Sequence, residues 1–473
     1  MSYIYTPRSG MYVAVKNKTG FMSTFKSVNP YTQETIAEYA AHTEAEIEQL
    51  LAWGHQTFRQ TRQIPLQQRC DQMLKLAALL KEQVDEHAAI ITREMGKTLK
   101  EAKAEVLKCA ASAEYYAQHI AGMLQYKPVS SDGRQSYVAY EPKGIVLAIM
   151  PWNFPYWQVF RFAIPNILAG NTGLLKHASN VSGCALAIEK LFLEAGFPEG
   201  SFQAVLINAK NIEPLIADTR VQGVTLTGST GAGMSVAALA GKYIKKTVLE
   251  LGGSDPFIVL KDANIEEAAK IAVKARMQNA GQSCIAAKRW IVEQSVLGDF
   301  TDRVSTLLGQ MKQGDPFHAD TDMGPMARPD LATGLSLQMR KTITQGASLV
   351  LGGKQDSANF QPTLLTGVQP RMTAFDEETF GPLAVIISAN DEQHAIQLAN
   401  QTPFGLGSAL WTTDLDKARK LATQIESGNV FINAMVRSDA RLPFGGVKQS
   451  GYGRELSVEG THEFLNVKTV YIA

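Results

Sequence analysis

From Gly144 onward the chain alternates short apolar runs with longer amphipathic ones, and few folds can accommodate that alternation. Gly144 to Met150, Gly173 to Lys176, Phe202 to Leu206 and Val224 to Thr227 read as buried strands. Between and after them, Trp157 to Ala169, Ser182 to Ala195 and a stretch from about Ala232 carry helical periodicity. Strands buried on both faces and separated by helices predict a parallel sheet covered on each side, the platform on which dinucleotides bind. After Gly252 a second alternating α/β region runs from Pro256 to about Phe444. No repeat, low-complexity tract or long linker interrupts either region.

Helices precede this core. Thr43 and Glu46 have the spacing of a capping box, and Ile47, Leu50, Leu51, Gly54 and Phe58 share one helical face. A second helical pattern runs through Met73, Leu76, Leu80, Val84 and Ile91, and a third through Leu99, Val106 and Ala110. Near Gln135 the period changes, and Tyr137 to Tyr140 reads as a strand. Residues 1–22 stand apart: they lack acids, carry Arg8, Lys16 and Lys18, and suit a loose tail, an early start with Met22 as alternative, or a targeting segment.

The charges nearly cancel, 46 Lys plus Arg against 45 Asp plus Glu, so no general field draws nucleic acid or a membrane surface. Cys70, Cys109, Cys184 and Cys284 are far apart with no CxxC pair, which suits a reduced, cytoplasmic setting. The histidines lack metal-ligand spacing, so no zinc site is expected.

One cysteine has unusual company. Cys284 sits in Asn279-Ala-Gly-Gln-Ser-Cys-Ile-Ala-Ala-Lys-Arg289, after Gly281 and Ser283 and before two cations, Lys288 and Arg289, which should favour thiolate. A free cysteine is by base rate a small buried hydrophobe. Upstream, however, stand Leu249-Glu-Leu-Gly-Gly253 and Pro151-Trp-Asn-Phe-Pro155. A nucleophile, a carboxylate and a side-chain amide are what acyl chemistry needs. The turn Gly228-Ser-Thr-Gly-Ala-Gly233 follows a strand and opens a helix, where backbone N–H groups can meet phosphate. It is not GxGxxG, and alone it equally suits a tight structural turn.

Taken together these segments resemble the aldehyde dehydrogenase superfamily from about Ser23 onward. The tracts Leu249-Glu-Leu-Gly-Gly-Ser-Asp-Pro-Phe-Ile-Val259 and Ser438-Asp-Ala-Arg before Pro443-Phe-Gly-Gly446 look most like its bacterial NAD(P)-dependent succinate-semialdehyde dehydrogenases. The resemblance implies a Rossmann-like cofactor domain (23–120 and 141–252), an α/β catalytic domain (253–450) and a small oligomerisation sheet (121–140 and 451–473), in a homodimer or homotetramer. It implies Cys284 as nucleophile, Asn153 and the Cys284 N–H as oxyanion donors, and Glu250 as the base that activates water against the thioester left by hydride transfer. Generic Rossmann reasoning would instead give Glu250 to a ribose, about 20 residues past the glycines.

For NADP or NAD the resemblance implies Trp152, Lys176, Ser179, Gly228, Ser229, Gly233, Leu251, Glu378 and Phe380. Ser179 stands where NAD-preferring members often carry Glu; a hydroxyl there would not repel a 2′-phosphate, and Lys176 would attract one. For a carboxylated aldehyde it implies Arg161 and Ser438, and Gln278 stands where many such enzymes have a second arginine. One cation fewer should weaken carboxylate attraction and widen the range to glutarate semialdehyde or uncharged aldehydes. Ala286 replaces the second cysteine of members with a redox switch. Rival readings are a broad-range aldehyde dehydrogenase, a coenzyme A acylating one (disfavoured by Glu250), a non-catalytic homologue, and a cysteine hydrolase with no histidine partner evident.

Overall fold

The computed structural model describes residues 2–6, 11–15 and 24–473. Part of the stretch read as a tail forms paired antiparallel strands, Ser2–Thr6 and Met11–Val15; the rest of residues 1–22 lies outside the described residues.

Helix α1 (Glu44–Thr61) begins with the expected capping box, Thr43 and Glu46 each satisfying the other's backbone N–H, and buries Leu51, Gly54 and Phe58. The pattern through Met73 and Ile91 is two helices, not one: α2 (Leu66–Glu82) and α3 (Val84–Met95). The chain leaves helical geometry at Gln83, and buried side chains on both sides of so short a break preserve the apparent period. Helix α4 (Leu99–Met123) opens with a second capping box, Thr98 and Glu101. Helix α5 (Trp157–Leu168) is buried along its whole length.

The first α/β region forms a six-stranded sheet. Numbering its five parallel strands in chain order (Ile145–Met150, Thr172–His177, Phe202–Ala204, Val221–Thr227, Lys246–Glu250) gives the spatial order 3-2-1-4-5. Val146, Ala148 and Met150 pack against α2 to α5, whereas Ile145 and Leu147 pack against α1 and the helix Thr230–Lys242. Order reverses beside strand 1, so its C-terminal end opens the crevice where such sheets take ligands. The sixth strand, Gly451–Tyr452, which the resemblance grouped with the tail, pairs antiparallel with Leu249 and Glu250.

The second region forms a seven-stranded sheet, with Ala287–Glu293 between Asp255–Val259 and Leu383–Ala389. A three-stranded sheet joins the chain's end to its middle: Leu465–Ile472 pairs with Gln135–Pro142, which also pairs with Lys127–Pro128. Among the described residues no helix is long and apolar enough to cross a membrane.

Candidate active site

Three loops meet at Cys284. The residues before it adopt left-handed backbone, Asn279 (φ 57), Ala280 (φ 50) and Gly281 (φ 71) in succession. Only glycine fits the last of these, because a Cβ there would lie 2.3 Å from the Gly381 carbonyl oxygen. The strain at Asn279 and Ala280 is held by hydrogen bonds. Asn279 Nδ2 donates to the Asn153 carbonyl (2.7 Å) and the Gln282 carbonyl (3.0 Å), and its backbone N–H reaches Glu101 (2.7 Å). Asn153 Nδ2 donates to the Gln282 carbonyl at 3.1 Å, leaving one amide hydrogen uncommitted. The Cys284 backbone N–H has no partner among the described residues.

Helix α4 supports this turn from one face. Glu105 accepts from the backbone N–H groups of Tyr156 (2.8 Å) and Trp157 (2.9 Å), where a carboxylate meets the positive end of α5. It also pairs with the fully buried Lys97, whose ammonium lies 3.9 Å from the centre of the Phe154 ring. This ion pair thus holds the Pro151–Pro155 turn at Phe154 and the backbone just past its end at Tyr156 and Trp157.

The two flanking cations were expected to favour the thiolate; the structure corrects this. Lys288 donates to the carbonyls of Gly253 and Cys284 and pairs with Glu378, while Arg289 is spent on the carbonyls of Ser254, Leu398 and Ala399. Burial dominates and pushes the Cys284 thiol up to about 12, with Arg161 and Lys288 pulling the other way. Glu250 behaves alike. It ends its strand beside Gly445, where a Cβ would lie 2.9 Å from its carboxylate, and neither oxygen has a hydrogen-bond partner. Burial raises it well above the usual carboxylate range; Arg161 opposes and Glu455 reinforces.

Arg161, on α5, is buried, and its guanidinium is ion-paired with Glu455 and stacked 4.9 Å from the Phe444 ring centre. It is therefore not the free fork the resemblance implies: one carboxylate of the chain already occupies its Nε side. Arg161, Ser438, Gln278 and Cys284 nevertheless line one cavity of about 320 Å³. Ser438 Oγ accepts from Trp157 Nε1 (2.9 Å) and from Lys108 Nζ (2.8 Å). Lys108, on α4, lies 4.0 Å from the Trp157 ring centre and is lowered to about 8, by burial first and Arg161 second.

The residues expected to hold the dinucleotide gather at the C-terminal edge of the first sheet. Trp152 follows strand 1, Lys176 is the penultimate residue of strand 2, Gly228 and Ser229 follow strand 4, and Leu251 follows strand 5. Burial lowers Lys176, and no ion-pair partner offsets its charge among the described residues. Ser179 is exposed beyond it. Ser229 caps the helix Thr230–Lys242, accepting from Ala232 N–H. Gly233 faces Leu251: a Cβ there would lie 2.5 Å from that side chain, so its bareness serves helix-to-sheet packing. Glu378 accepts from Gly253 N–H (3.1 Å), and a Cβ on Gly252 would lie 2.4 Å from its carboxylate. Trp152 and Phe380 stand edge to face at 5.8 Å. An uncompensated lysine, a capped helix start and a carboxylate behind bare glycine backbone fit the phosphate, pyrophosphate and ribose of a nicotinamide dinucleotide.

Lys97, Glu105, Asn279, Glu455 and Lys108 escaped the sequence reading. Charged residues recurring on the buried face of α4, with Glu105 among Ala102, Val106 and Cys109, were the available signal. Nothing local marks Glu455.

The doubly wound sheet, the second α/β region and the cysteine between them define an aldehyde dehydrogenase, and this chain belongs to the aldehyde dehydrogenase family, whose model spans residues 16–470. It is 50% identical over 450 residues to a probable NADP(+) succinate-semialdehyde dehydrogenase of Synechocystis sp., covering 94% of this chain and 99% of that one. It is 46% identical to the NAD(P)+ succinate semialdehyde dehydrogenase Sad of Escherichia coli, covering 94% and 97%. Among solved structures it is similar to the succinic semialdehyde dehydrogenase of Streptococcus pyogenes in complex with NADP+ (TM-score 0.93, 36% identity, 95% and 99% covered).

Proposed function

We propose that this chain oxidises succinate semialdehyde to succinate with NADP or NAD, through a thiohemiacetal and a thioester on Cys284. The observation that carries this reading is the shared cavity of about 320 Å³, whose lining includes Cys284, Arg161 and Ser438. The full-length likeness to relatives of that activity supports it.

In this reading the Cys284 thiol loses its proton to water, its sulfur bonds to the aldehyde carbon and the carbonyl pair moves onto oxygen. The free Asn153 amide hydrogen and the Cys284 N–H donate to that oxyanion. A bound oxidised dinucleotide supplies the hydride acceptor, held through Lys176, the Ser229 turn and Glu378. Glu250 in its deprotonated form then takes a proton from water as the water attacks the thioester carbon, and the carbon–sulfur bond breaks to restore Cys284. Arg161 and Ser438 receive the distal carboxylate.

A broader aldehyde range is the second reading, favoured by neutral Gln278 and by the pairing of Arg161 with Glu455. Reduced-cofactor absorbance with succinate semialdehyde, glutarate semialdehyde and butanal, each with NADP and NAD, separates the two. The proposal expects kcat/KM for succinate semialdehyde to exceed butanal by well over tenfold; equal values reject it in favour of the broad enzyme, and no reduction with any aldehyde rejects both. A homodimer or homotetramer is also proposed, supported by Tyr126, Val129, Val467, Tyr471 and Ile472 left exposed on the three-stranded sheet. A reducing, cytoplasmic setting fits four unpaired thiols.

A further inference from the structure

We infer that Lys108 is the second cation of the carboxylate subsite, taking over from helix α4 the charge that Gln278 lacks. This rests on the succinate-semialdehyde reading above. Four cations line the cavity together with neutral Gln278: Lys274 and Arg437 are exposed to solvent, whereas Arg161 is buried and Lys108 half-buried beside Ser438. Gln278 is neutral. Arg161 has Glu455 against its Nε, so much of its charge is already balanced. Lys108 has no carboxylate within ion-pair reach among the described residues; its contacts are a hydroxyl and an indole face. A half-buried ammonium left in that state is positioned for an anion that the chain itself does not provide.

The hydroxyl gives the geometry a direction. Ser438 Oγ has two lone pairs, and Lys108 Nζ at 2.8 Å and Trp157 Nε1 at 2.9 Å fill both. Its own hydrogen is therefore free only to donate. A carboxylate accepts without donating, and an ω-carboxylated aldehyde would meet that O–H together with the remaining N–H groups of Lys108. An alcohol or methyl terminus would satisfy neither. Lys108 thus acts both as a charge and as the group that turns Ser438 into a donor.

The test is steady-state kinetics of Lys108→Met, Lys108→Gln and Lys108→Arg on succinate semialdehyde and butanal, with succinate as competitive inhibitor. Wild type must first prefer succinate semialdehyde; if it does not, the substrate reading fails and this inference falls with it. Given that preference, Lys108→Met and Lys108→Gln should cut the ratio of kcat/KM values by about 10- to 100-fold, the scale of one charge-assisted bond. The loss should lie in KM, succinate inhibition should weaken by a like factor, and Lys108→Arg should keep an intermediate ratio. An unchanged ratio overturns the proposal. Equal losses on both aldehydes also overturn it, because they would mark Lys108 as a structural prop for Trp157.

Discussion

Replacing Glu105 by Gln should damage the protein in a way that only a buried, paired charge explains. Glu105 receives two backbone N–H groups at the start of α5 and the ammonium of Lys97, whose side chain has no exposure at all. A glutamine oxygen can still accept both N–H groups, so the substitution mainly strands the ammonium beside an amide. Breaking one side of such a pair costs about 3–5 kcal/mol. With a urea m-value of about 3 kcal/mol/M or more for a chain this long, the unfolding midpoint should fall by about 1 M. Changing Lys97 to Met as well removes the stranded charge, and the double variant should recover to within about 1–2 kcal/mol of wild type, since a buried pair is worth little against an uncharged replacement. Urea midpoints of the wild type, both single variants and the double, at one protein concentration, close the cycle. Because α5 carries Trp157 and Arg161, kcat/KM should fall and recover in parallel. A double variant as unstable as the sum of the singles would refute the reasoning, and so would a single variant within 1 kcal/mol of wild type, with ~1 kcal/mol the resolution of such a cycle.

Burial that lifts the Cys284 thiol to about 12 leaves little thiolate near neutrality. Alkylation of the cofactor-free enzyme by iodoacetamide, followed by intact mass, should therefore quicken about tenfold per pH unit from about pH 7 to 10; a plateau inside that range would contradict it. Glu250→Gln should give a burst of reduced cofactor near one equivalent per site and then little turnover, seen by stopped-flow absorbance, because the thioester lacks its base. Lys176→Met should raise KM for NADP by about tenfold and for NAD by much less, measured with saturating aldehyde.

Much of the site could be read in the sequence because its signals are local. The Asn153 turn, the Glu250 strand end and the Cys284 loop each carry glycines or prolines whose backbone role is settled within a few residues, and both capping boxes are four-residue patterns. The split of α2 from α3 was missed because buried side chains continue in step across Gln83. Only the fold shows that the bare Cα of Gly233 faces Leu251, since a motif names a residue without naming what packs against it.

What the sequence determined by itself was the order of strands and helices, the three candidate catalytic segments and the absence of an arginine at position 278, all properties of short-range pattern. The tertiary structure alone decided which polar groups meet: Arg161 with Glu455 near the far end of the chain, and Lys108 with Ser438 across 330 positions. It also reversed the expectation for the thiol, because two cations nearby in sequence count for less than the loss of water around a partly buried sulfur. Desolvation depends on everything packed about an atom, and no local stretch of sequence contains that information.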